Sequence, residues 1–280
     1  MLLSAVIHLK AIENGSLPMD MGPAVRAEFL KWMGEADPKM AGEAHDGDAL
    51  RPYTISDLTG SFRAQRGFHL IEAGQSAWFR LTSLRKAETR LLLDAVLPKA
   101  EGRNISLGRV RFQVQKVAKQ EGEHPWARGS SCQALADRYF KSTGQPADAL
   151  EVEFVSPTTF HSDVHVPLPI PEMVFGSWLE RWNHFSPASL PRKTGELEDA
   201  RLALSRYKLE TRAVHYDKAT WIGFAGRCRF RVLSDDEYWR RLANLLADFA
   251  FFCGTGAKTS FGMGQTRRYY ELDRKDSRPR

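Results

Sequence analysis

The order of apolar patterns along the chain constrains the fold more than any other feature, because one order occurs twice. Alternating or β-branched apolar runs predict strands, and apolar residues at helical spacing predict helices. The elements predicted in the first half are a strand at Leu2–Leu9, a helix from Pro23 to Met33, strands at Arg51–Leu58 and Ala77–Leu84, a helix at Ala87–Leu97 and a strand at Leu107–Val117. Their order is βαββαβ.

The second half repeats this order behind one additional helix. Its predicted elements are helices at Ser131–Phe140, Pro171–Phe185 and Asp235–Phe252, strands at Ala149–Val155 and Gln265–Leu272, and a hairpin of Tyr207–His215 with Thr220–Val232. The order βαββαβ is that of the ferredoxin-like unit, which RNA-recognition domains also use. We therefore expect an α+β fold of two tandem ferredoxin-like domains. The polar stretch Gln120–His124 places the boundary, giving domains of residues 1–122 and 123–280.

Composition restricts the class of protein without choosing a function. The chain has 280 residues, of which 42% are hydrophobic, and its formal charge is +6. Such a composition is typical of a globular protein. The positive excess suits a polyanionic partner, because each neutralised phosphate releases counterions. Many mildly basic proteins bind no nucleic acid, so the charge alone leaves the partner open.

The cysteines and the N-terminus indicate a protein of the reducing cytoplasm. The three cysteines lie far apart without a CxxC pair, which fits neither a disulfide framework nor a zinc site. The first residues are apolar but follow no basic segment, so they predict a strand and not a signal peptide. No run approaches the roughly 20 apolar residues of a membrane helix, and we expect no membrane partner, metal or cofactor.

A glycine-rich loop near the C-terminus is the strongest functional motif. Four glycines, with the spacing GxGxxxxxGxG, surround one lysine, and two arginines follow: Gly254, Gly256, Lys258, Gly262, Gly264, Arg267 and Arg268. Glycine permits positive φ and lacks a Cβ atom, so such a loop can bring backbone N–H groups close to a partner. With the neighbouring cations, this composition predicts that the loop binds phosphate, and these seven residues are the predicted RNA-binding set.

Two other interpretations of the loop were weighed. A nucleotide-binding P-loop requires GxxxxGK[ST], but Ala257 separates Gly256 from Lys258. The loop also leads from a helix to a strand, the reverse of the P-loop order, so this interpretation is excluded. A tight helix-to-strand connection, in which the glycines serve shape alone, stays open.

The loop, its basic residue and its position near the C-terminus resemble the signature of the CRISPR-associated repeat-processing endoribonucleases. Two further stretches are similar to that family: Leu150–Phe160, LEVEFVSPTTF, and the segment from Asp37 to His45 followed by Arg51–Ser56. The resemblance implies tandem ferredoxin-like domains and metal-independent cleavage of precursor CRISPR RNA within the repeat. It implies CRISPR repeat RNA as the partner, and leaves an effector complex and a homodimer open.

His45 is the candidate general acid or base among eight histidines. It follows a short predicted helix, Lys39–Ala44, in a polar stretch shortly before Arg51, and it occupies the position of the family's catalytic histidine. An imidazole titrates near neutral pH and suits either proton transfer. The resemblance implies that Arg51 stabilises the transition state, with Lys39 a weaker candidate. The expected products are a 2′,3′-cyclic phosphate and a 5′-hydroxyl.

The sequence departs from one family pattern and leaves two rival functions. Some relatives place a tyrosine one helix before the histidine, whereas this chain has Leu30 there, and strand alternation could point Tyr53 away. One rival is a non-catalytic subunit that binds repeat RNA. The other is a general RNA-binding protein with tandem RNA-recognition folds. Such proteins usually have an aromatic signature strand, which this sequence lacks.

Overall fold

The computed structural model describes residues 1–45, 50–161, 164–188, 190, 194–216 and 219–269. Its contacts divide the chain into two compact units. The first unit is Met1–Ser131 together with Lys258–Met263, and the second is Cys132–Ala257 together with the residues from Gly264 onward. This division falls after the boundary predicted between residues 122 and 123, because a short strand at Arg128–Ser130 pairs with the first strand of the chain.

The first unit contains ten strands and three α-helices in its described residues. The strands are β1 Leu2–Ala11, β2 Gly15–Pro18, β3 Tyr53–Ile55, β4 Thr59–Gly60, β5 Arg63–Gln65, β6 Phe68–Ile71, β7 Ser76–Ser83, β8 Asn104–Leu107, β9 Val110–Ala118 and β10 Arg128–Ser130. The helices are α1 Gly22–Ala36, α2 Pro38–His45 and α3 Lys86–Leu91. A π-helical turn at Leu92–Val96 and a 3₁₀ turn at Leu97–Lys99 continue α3.

The main sheet of the first unit has the ferredoxin-like arrangement. Its strand order is β3-β7-β1-β9-β8, and all these neighbours are antiparallel. Helix α1 covers the sheet with Val25, Phe29, Trp32 and Met33, all buried, which confirms the predicted apolar face. Glu28 is buried beside this face because its carboxylate accepts a hydrogen bond of 2.7 Å from Trp32 Nε1.

A small second sheet of the first unit has the order β2-β6-β5, and the sequence did not predict it. Strand β5 is exposed at every residue, so it lacks the apolar alternation that marks a half-buried strand. Leu17 of β2 is fully buried and fixes one face of this sheet against the unit.

The second unit contains three α-helices and six strands in its described residues. The helices are α4 Cys132–Phe140, α5 Pro171–Phe185 and α6 Glu237–Cys253. The strands are β11 Ala149–Thr158, β12 Phe160–His161, β13 His165–Val166, β14 Leu202–Tyr216, β15 Ala219–Val232 and β16 Thr266–Tyr269, with a 3₁₀ turn at Thr194–Ala200.

The sheet of the second unit repeats the arrangement of the first. Its order is β14-β15-β11-β16, again antiparallel throughout, with α4 before the first strand. Leu150, Val152 and Phe154 of β11 are buried, whereas the alternate residues Glu151 and Glu153 face the other side, where both pair with arginines. The predicted tandem ferredoxin-like fold is confirmed.

Several predicted element bounds were wrong, each for a local reason. The helix predicted at Ala87–Leu97 is α-helical only to Leu91, and the strand predicted at Leu107–Val117 is a hairpin that turns at Gly108. The strand predicted at Arg51–Leu58 shortens to β3. The turn residues Asp217 and Lys218 and the end of the predicted last strand lie outside the described residues. Within the described part of the chain, no helix is long and apolar enough to cross a membrane.

Candidate functional site

The glycine-rich loop follows α6 and requires glycine for its backbone. Gly254, Gly256, Gly262 and Gly264 all have positive φ, from 66° to 98°. A Cβ atom on Gly256 would overlap the carbonyl oxygen of Thr159 and lie 3.1 Å from its carbon. Two effects, the left-handed backbone and the close approach of another strand, therefore restrict this position to glycine.

Several backbone N–H groups of the loop bind acceptors within the protein. Thr255 N donates to Gly264 O at 2.9 Å, Ala257 N to Thr159 O at 2.8 Å, and Gly264 N to Pro157 O at 2.9 Å. These donors hold the shape of the loop and are not directed at a phosphate. These three N–H groups therefore have partners within the protein, and the predicted binding of phosphate by the loop stays untested.

A buried arginine supports the loop within the second unit. The guanidinium of Arg181 in α5 donates 2.6 Å to Gly256 O and 3.0 Å to Ser177 O. Burial lowers the pKa of this guanidinium. Next to it, Trp178 Nε1 donates 2.8 Å to Thr255 Oγ1. The base of the loop is therefore held by side chains of one helix.

The tip of the loop, Lys258–Met263, packs within the first unit against α1 and β3. Gly22, the first residue of α1, lies so close that a Cβ atom there would overlap the carbonyl oxygen of Phe261. On the other side, Gly262 forms a parallel bridge with Ser56, directly after β3. Helix α1 and strand β3 together fix the position of Phe261.

Phe261 and Tyr53 organise a cluster of cations in the first unit. The guanidinium of Arg26 lies 4.6 Å from the ring centroid of Phe261, and its Nε donates 3.1 Å to Tyr53 Oη. Lys258 Nζ lies 5.2 Å from the Phe261 ring, and Lys258 is exposed. Burial raises the pKa of the Tyr53 hydroxyl, while the charges of Arg26 and Arg51 act in the opposite direction. The fold thus brings Arg26, Arg51 and Lys258 together.

Comparison with known proteins agrees with this fold. Residues 152–266 match the family model described as CRISPR-associated endoribonuclease Cas6. A solved Cas6 product complex is 27% identical over 96% of this chain and 100% of that chain, with a TM-score of 0.74. The chain is therefore similar to Cas6 in sequence over residues 152–266 and in fold over nearly its whole length. A second Cas6 product complex is 23% identical over 96% of this chain and 100% of that chain, with a TM-score of 0.80.

Two further solved structures are similar to the chain at lower sequence identity. A Thermus thermophilus Cas6 is 22% identical over 96% of this chain and 98% of that chain, and its TM-score is 0.71. A Cas6-related protein from Pyrococcus furiosus is 13% identical over 97% of this chain and all of that chain, with a TM-score of 0.65. At these identities the likeness concerns the fold. No curated protein sequence matches the chain.

Sequence reasoning missed Arg26 and left the position of Tyr53 open. Tyr53 is buried, with its ring 4.9 Å from that of Phe29, and its hydroxyl reaches Arg26. Arg26 had no signal in the sequence, because its aromatic partner Phe261 is remote along the chain. His45 is the last residue of α2, and its side chain lies outside the described residues. The approach of His45 to the cation cluster stays a prediction.

The two arginines after the loop differ in what they bind within the second unit. Arg267 pairs with Glu153 through Nε at 2.7 Å and through Nη2 at 2.6 Å, and its side chain keeps 36% of its surface exposed. Arg268 binds Asp248, Asn244 and Tyr139, and only 9% of its side chain is exposed. Strand register turns the Arg268 side chain into an internal network, which favours a structural role for it, while RNA binding by Arg268 stays untested.

Asp57 links the start of α1 to the segment after β3. Its Oδ1 accepts hydrogen bonds of 2.7 Å from Met21 N and from Leu58 N. Burial raises the pKa of the Asp57 carboxyl to about 7, although these two hydrogen bonds lower it. Asp57 is also adjacent to Gly262, because a Cβ atom added to Gly262 would lie 3.5 Å from Asp57 Cβ. Asp57 therefore supports the position of the loop tip.

Asp57→Asn is expected to flatten the pH dependence of stability. The folded state keeps the Asp57 proton up to about pH 7, whereas an unfolded aspartic acid loses it near pH 4. The folded state thus binds more protons in this window, and the free energy of unfolding falls as the pH rises through it. Urea unfolding at several pH values between about 4 and 8 measures this slope. Equal slopes for both proteins would contradict the role of Asp57.

Proposed function

We propose that this protein is a Cas6 endoribonuclease that cuts precursor CRISPR RNA within its repeats. The observation that carries the proposal is the cation cluster at Phe261 and Tyr53. Arg26 of α1 and Lys258 of the loop lie at the Phe261 ring, and Arg51, from the segment before β3, acts with Arg26 on Tyr53. A cluster of this composition suits a phosphodiester that gains negative charge during the reaction.

The reaction requires deprotonation of the 2′-hydroxyl, stabilisation of the negative charge on the phosphate and protonation of the departing 5′-oxygen. Residues of the first unit are proposed to contribute to these functions. His45 is proposed either to accept the proton of the attacking 2′-hydroxyl or to donate a proton to the departing 5′-oxygen, and solvent water makes the other transfer, so that one proton is removed and one is delivered. Arg26 and Arg51 would stabilise the charge on the non-bridging oxygens. The 2′-oxygen forms a bond to phosphorus as the bond to the 5′-oxygen breaks, which leaves a 2′,3′-cyclic phosphate and a 5′-hydroxyl. This step needs no metal ion to supply a nucleophile.

Tyr53 is proposed to position Arg26 and not to transfer a proton. The Tyr53 ring packs on Phe29, and its hydroxyl accepts a hydrogen bond from Arg26 Nε. The Arg26 guanidinium is therefore held by this hydrogen bond and by the ring of Phe261. The raised pKa of the Tyr53 hydroxyl keeps it neutral at physiological pH. Arg26 thereby adds a second cation beside Arg51 in a chain that has Leu30 where some relatives have a tyrosine.

The glycines are proposed to shape the loop while Lys258 contacts RNA. Gly254, Gly256 and Gly264 permit the internal hydrogen bonds at the base, and Gly262 permits the bridge to Ser56. Lys258 itself has a positive φ of 56°, a strained conformation for a residue with a side chain, which favours a functional reason for the lysine. Arg267, half-exposed beside Glu153, is a proposed weaker contact.

Incubation with labelled repeat RNA, with and without EDTA, tests the proposed function. A discrete cut that persists in EDTA, with a 5′-hydroxyl on the downstream product, is the expected result. Cleavage lost in EDTA would contradict the metal-independent mechanism. A stable complex without a product would identify a non-catalytic binding subunit.

Lys258→Ala is expected to weaken repeat binding and to reduce its salt dependence. One lost phosphate contact lowers the slope of log K against log salt by about 0.7 to 0.9. Arg268→Ala serves as the comparison, because its internal network predicts lower thermal stability with an unchanged salt slope. Filter binding at several salt concentrations, together with thermal unfolding, separates the two. Equal slopes for Lys258→Ala and the parent protein would remove Lys258 from the RNA site.

A further inference from the structure

The turn of the exposed hairpin of β5 and β6 has an arginine at a position that favours asparagine, aspartate or glycine. Its turn runs from Gln65 to Phe68, and the two central residues, Arg66 and Gly67, have φ values of 49° and 81°. Two positive φ angles define a type I′ turn, for which asparagine, aspartate or glycine are the favoured first residues. An arginine in this conformation is strained, and retained strain favours a functional role for the side chain.

The outward face of the hairpin combines cations with an aromatic ring. Residues directly opposite each other in a ladder share a face, so the pairs Arg63–Leu70 and Gln65–Phe68 lie on the same side. The opposite side carries His69, which pairs with the buried Leu17 of β2 and contacts Phe62 with tilted rings, 5.1 Å between centroids. Phe68 is 47% exposed and Arg63 and Arg66 are exposed, with no acidic residue from Arg63 to Ile71.

The hairpin lies close to the cation cluster in the first unit. Phe68 pairs with Pro18 of β2, and Pro18 precedes Gly22 by four residues. Four residues span at most about 14 Å. Gly22 contacts the backbone of Phe261, the ring on which Arg26 lies. An RNA strand at Phe261 can therefore reach Phe68 within a few nucleotides.

We propose that the β5–β6 hairpin is a binding site for unpaired nucleotides of the RNA, with Phe68 stacking on a base and Arg63 and Arg66 contacting phosphates. The site rests on the proposed function for the identity of the RNA. An exposed ring flanked by cations matches the composition of surfaces that bind single strands. A paired segment is a poorer occupant, because its bases are already stacked and the deep groove of A-form RNA excludes side chains.

The test measures affinity for repeat RNA with single-stranded flanks and for the same RNA with both flanks annealed to complementary strands. Phe68→Ala is expected to bind the unpaired RNA about tenfold more weakly and the annealed RNA equally well. Phe68→Trp should retain affinity and Phe68→Leu should not, because only a ring can stack. Equal affinity of Phe68→Ala and the parent for the unpaired RNA would overturn the proposal, as would equal losses on both RNAs.

Arg66→Gly separates binding from folding. Glycine adopts the left-handed conformation without strain, so this variant is expected to unfold at the same or a higher temperature. Its salt slope for the unpaired RNA should fall by about 0.7. Arg90→Ala, which removes an exposed arginine from α3, is the control for a general charge effect and should leave the slope unchanged. Equal slopes for Arg66→Gly and the parent, or an equal fall in the control, would overturn the role of Arg66.

Cleavage of the same RNA by the parent protein is assayed in parallel. Binding without cleavage would contradict the proposed function. The ratio of the affinities of the parent and of Phe68→Ala for the unpaired RNA would still show whether the hairpin binds RNA. Cleavage with equal affinity of Phe68→Ala and the parent would contradict the hairpin and leave the proposed function supported. Absence of any RNA binding by the parent would contradict both.

Discussion

His45→Ala is expected to lower the rate of repeat cleavage by at least about a hundredfold, with repeat affinity nearly unchanged. The imidazole is the proposed proton-transfer group, and general acid–base catalysis commonly contributes this much. Affinity should persist because the cations Arg26, Arg51 and Lys258 remain. Single-turnover cleavage with enzyme in excess over labelled repeat RNA measures the rate, and a gel shift measures the affinity.

An exposed histidine of the second unit provides the matched control for this prediction. His161→Ala removes an exposed imidazole of β12 in the second unit and should cut at the parental rate. Added imidazole should partly restore cleavage by His45→Ala, because a diffusible base can replace a missing one. A His45→Ala variant that cuts at the parental rate would remove His45 from the reaction. Equal losses in rate and affinity would make it a binding residue.

Gly22→Ala is expected to have the second largest effect, a loss of about a hundredfold in cleavage rate. The added Cβ would overlap the carbonyl oxygen of Phe261, lie 2.5 Å from its carbon and lie 3.0 Å from Gly262 N. All three are backbone atoms, so either the start of α1 or the loop tip has to move. Such a movement displaces Arg26 from Phe261, and a shift near 1 Å can cost this much in an oriented site.

The same substitution elsewhere in α1 is the control. Gly34→Ala places its Cβ 3.7 Å from Ala41 Cβ, an ordinary contact. Because alanine favours a helix over glycine, this variant should gain up to about 1 kcal/mol in free energy of unfolding. Its cleavage rate should match the parent. Parental cleavage by Gly22→Ala, measured under single turnover beside thermal unfolding, would show that the contact with Phe261 does not organise the site.

Elements with a strong apolar period could be predicted from the sequence, and elements without one could not. Helix α5 has the predicted bounds, Pro171–Phe185, because Pro171 begins it and buried aromatic residues recur along one face. The sheet of β2, β6 and β5 was missed because its strands are short and mostly exposed. The π-helical turn after Leu91 depends on packing, which a period of 3.6 residues does not encode.

The candidate site was predictable only where one segment carries it. The glycine spacing indicated a constrained loop near a lysine, and the loop has that form. Its contact with α1 and its cation partner Arg26 could not be predicted, because they depend on residues remote along the chain. The internal pairing of Arg268 could not be predicted either, since it depends on the register of β16 with β11.

The assignment of Lys258–Met263 to the first unit has a consequence during translation. Residues 1–131 leave the ribosome long before this segment, so the nascent first unit lacks Phe261 and Gly262. Domains of a growing chain generally fold from the N-terminus, and contacts between remote residues form late. Arg26 therefore gains its aromatic partner only after the segment Lys258–Met263 has been synthesised. A ribosome-bound chain that has not yet reached Phe261 would lack the complete cation cluster.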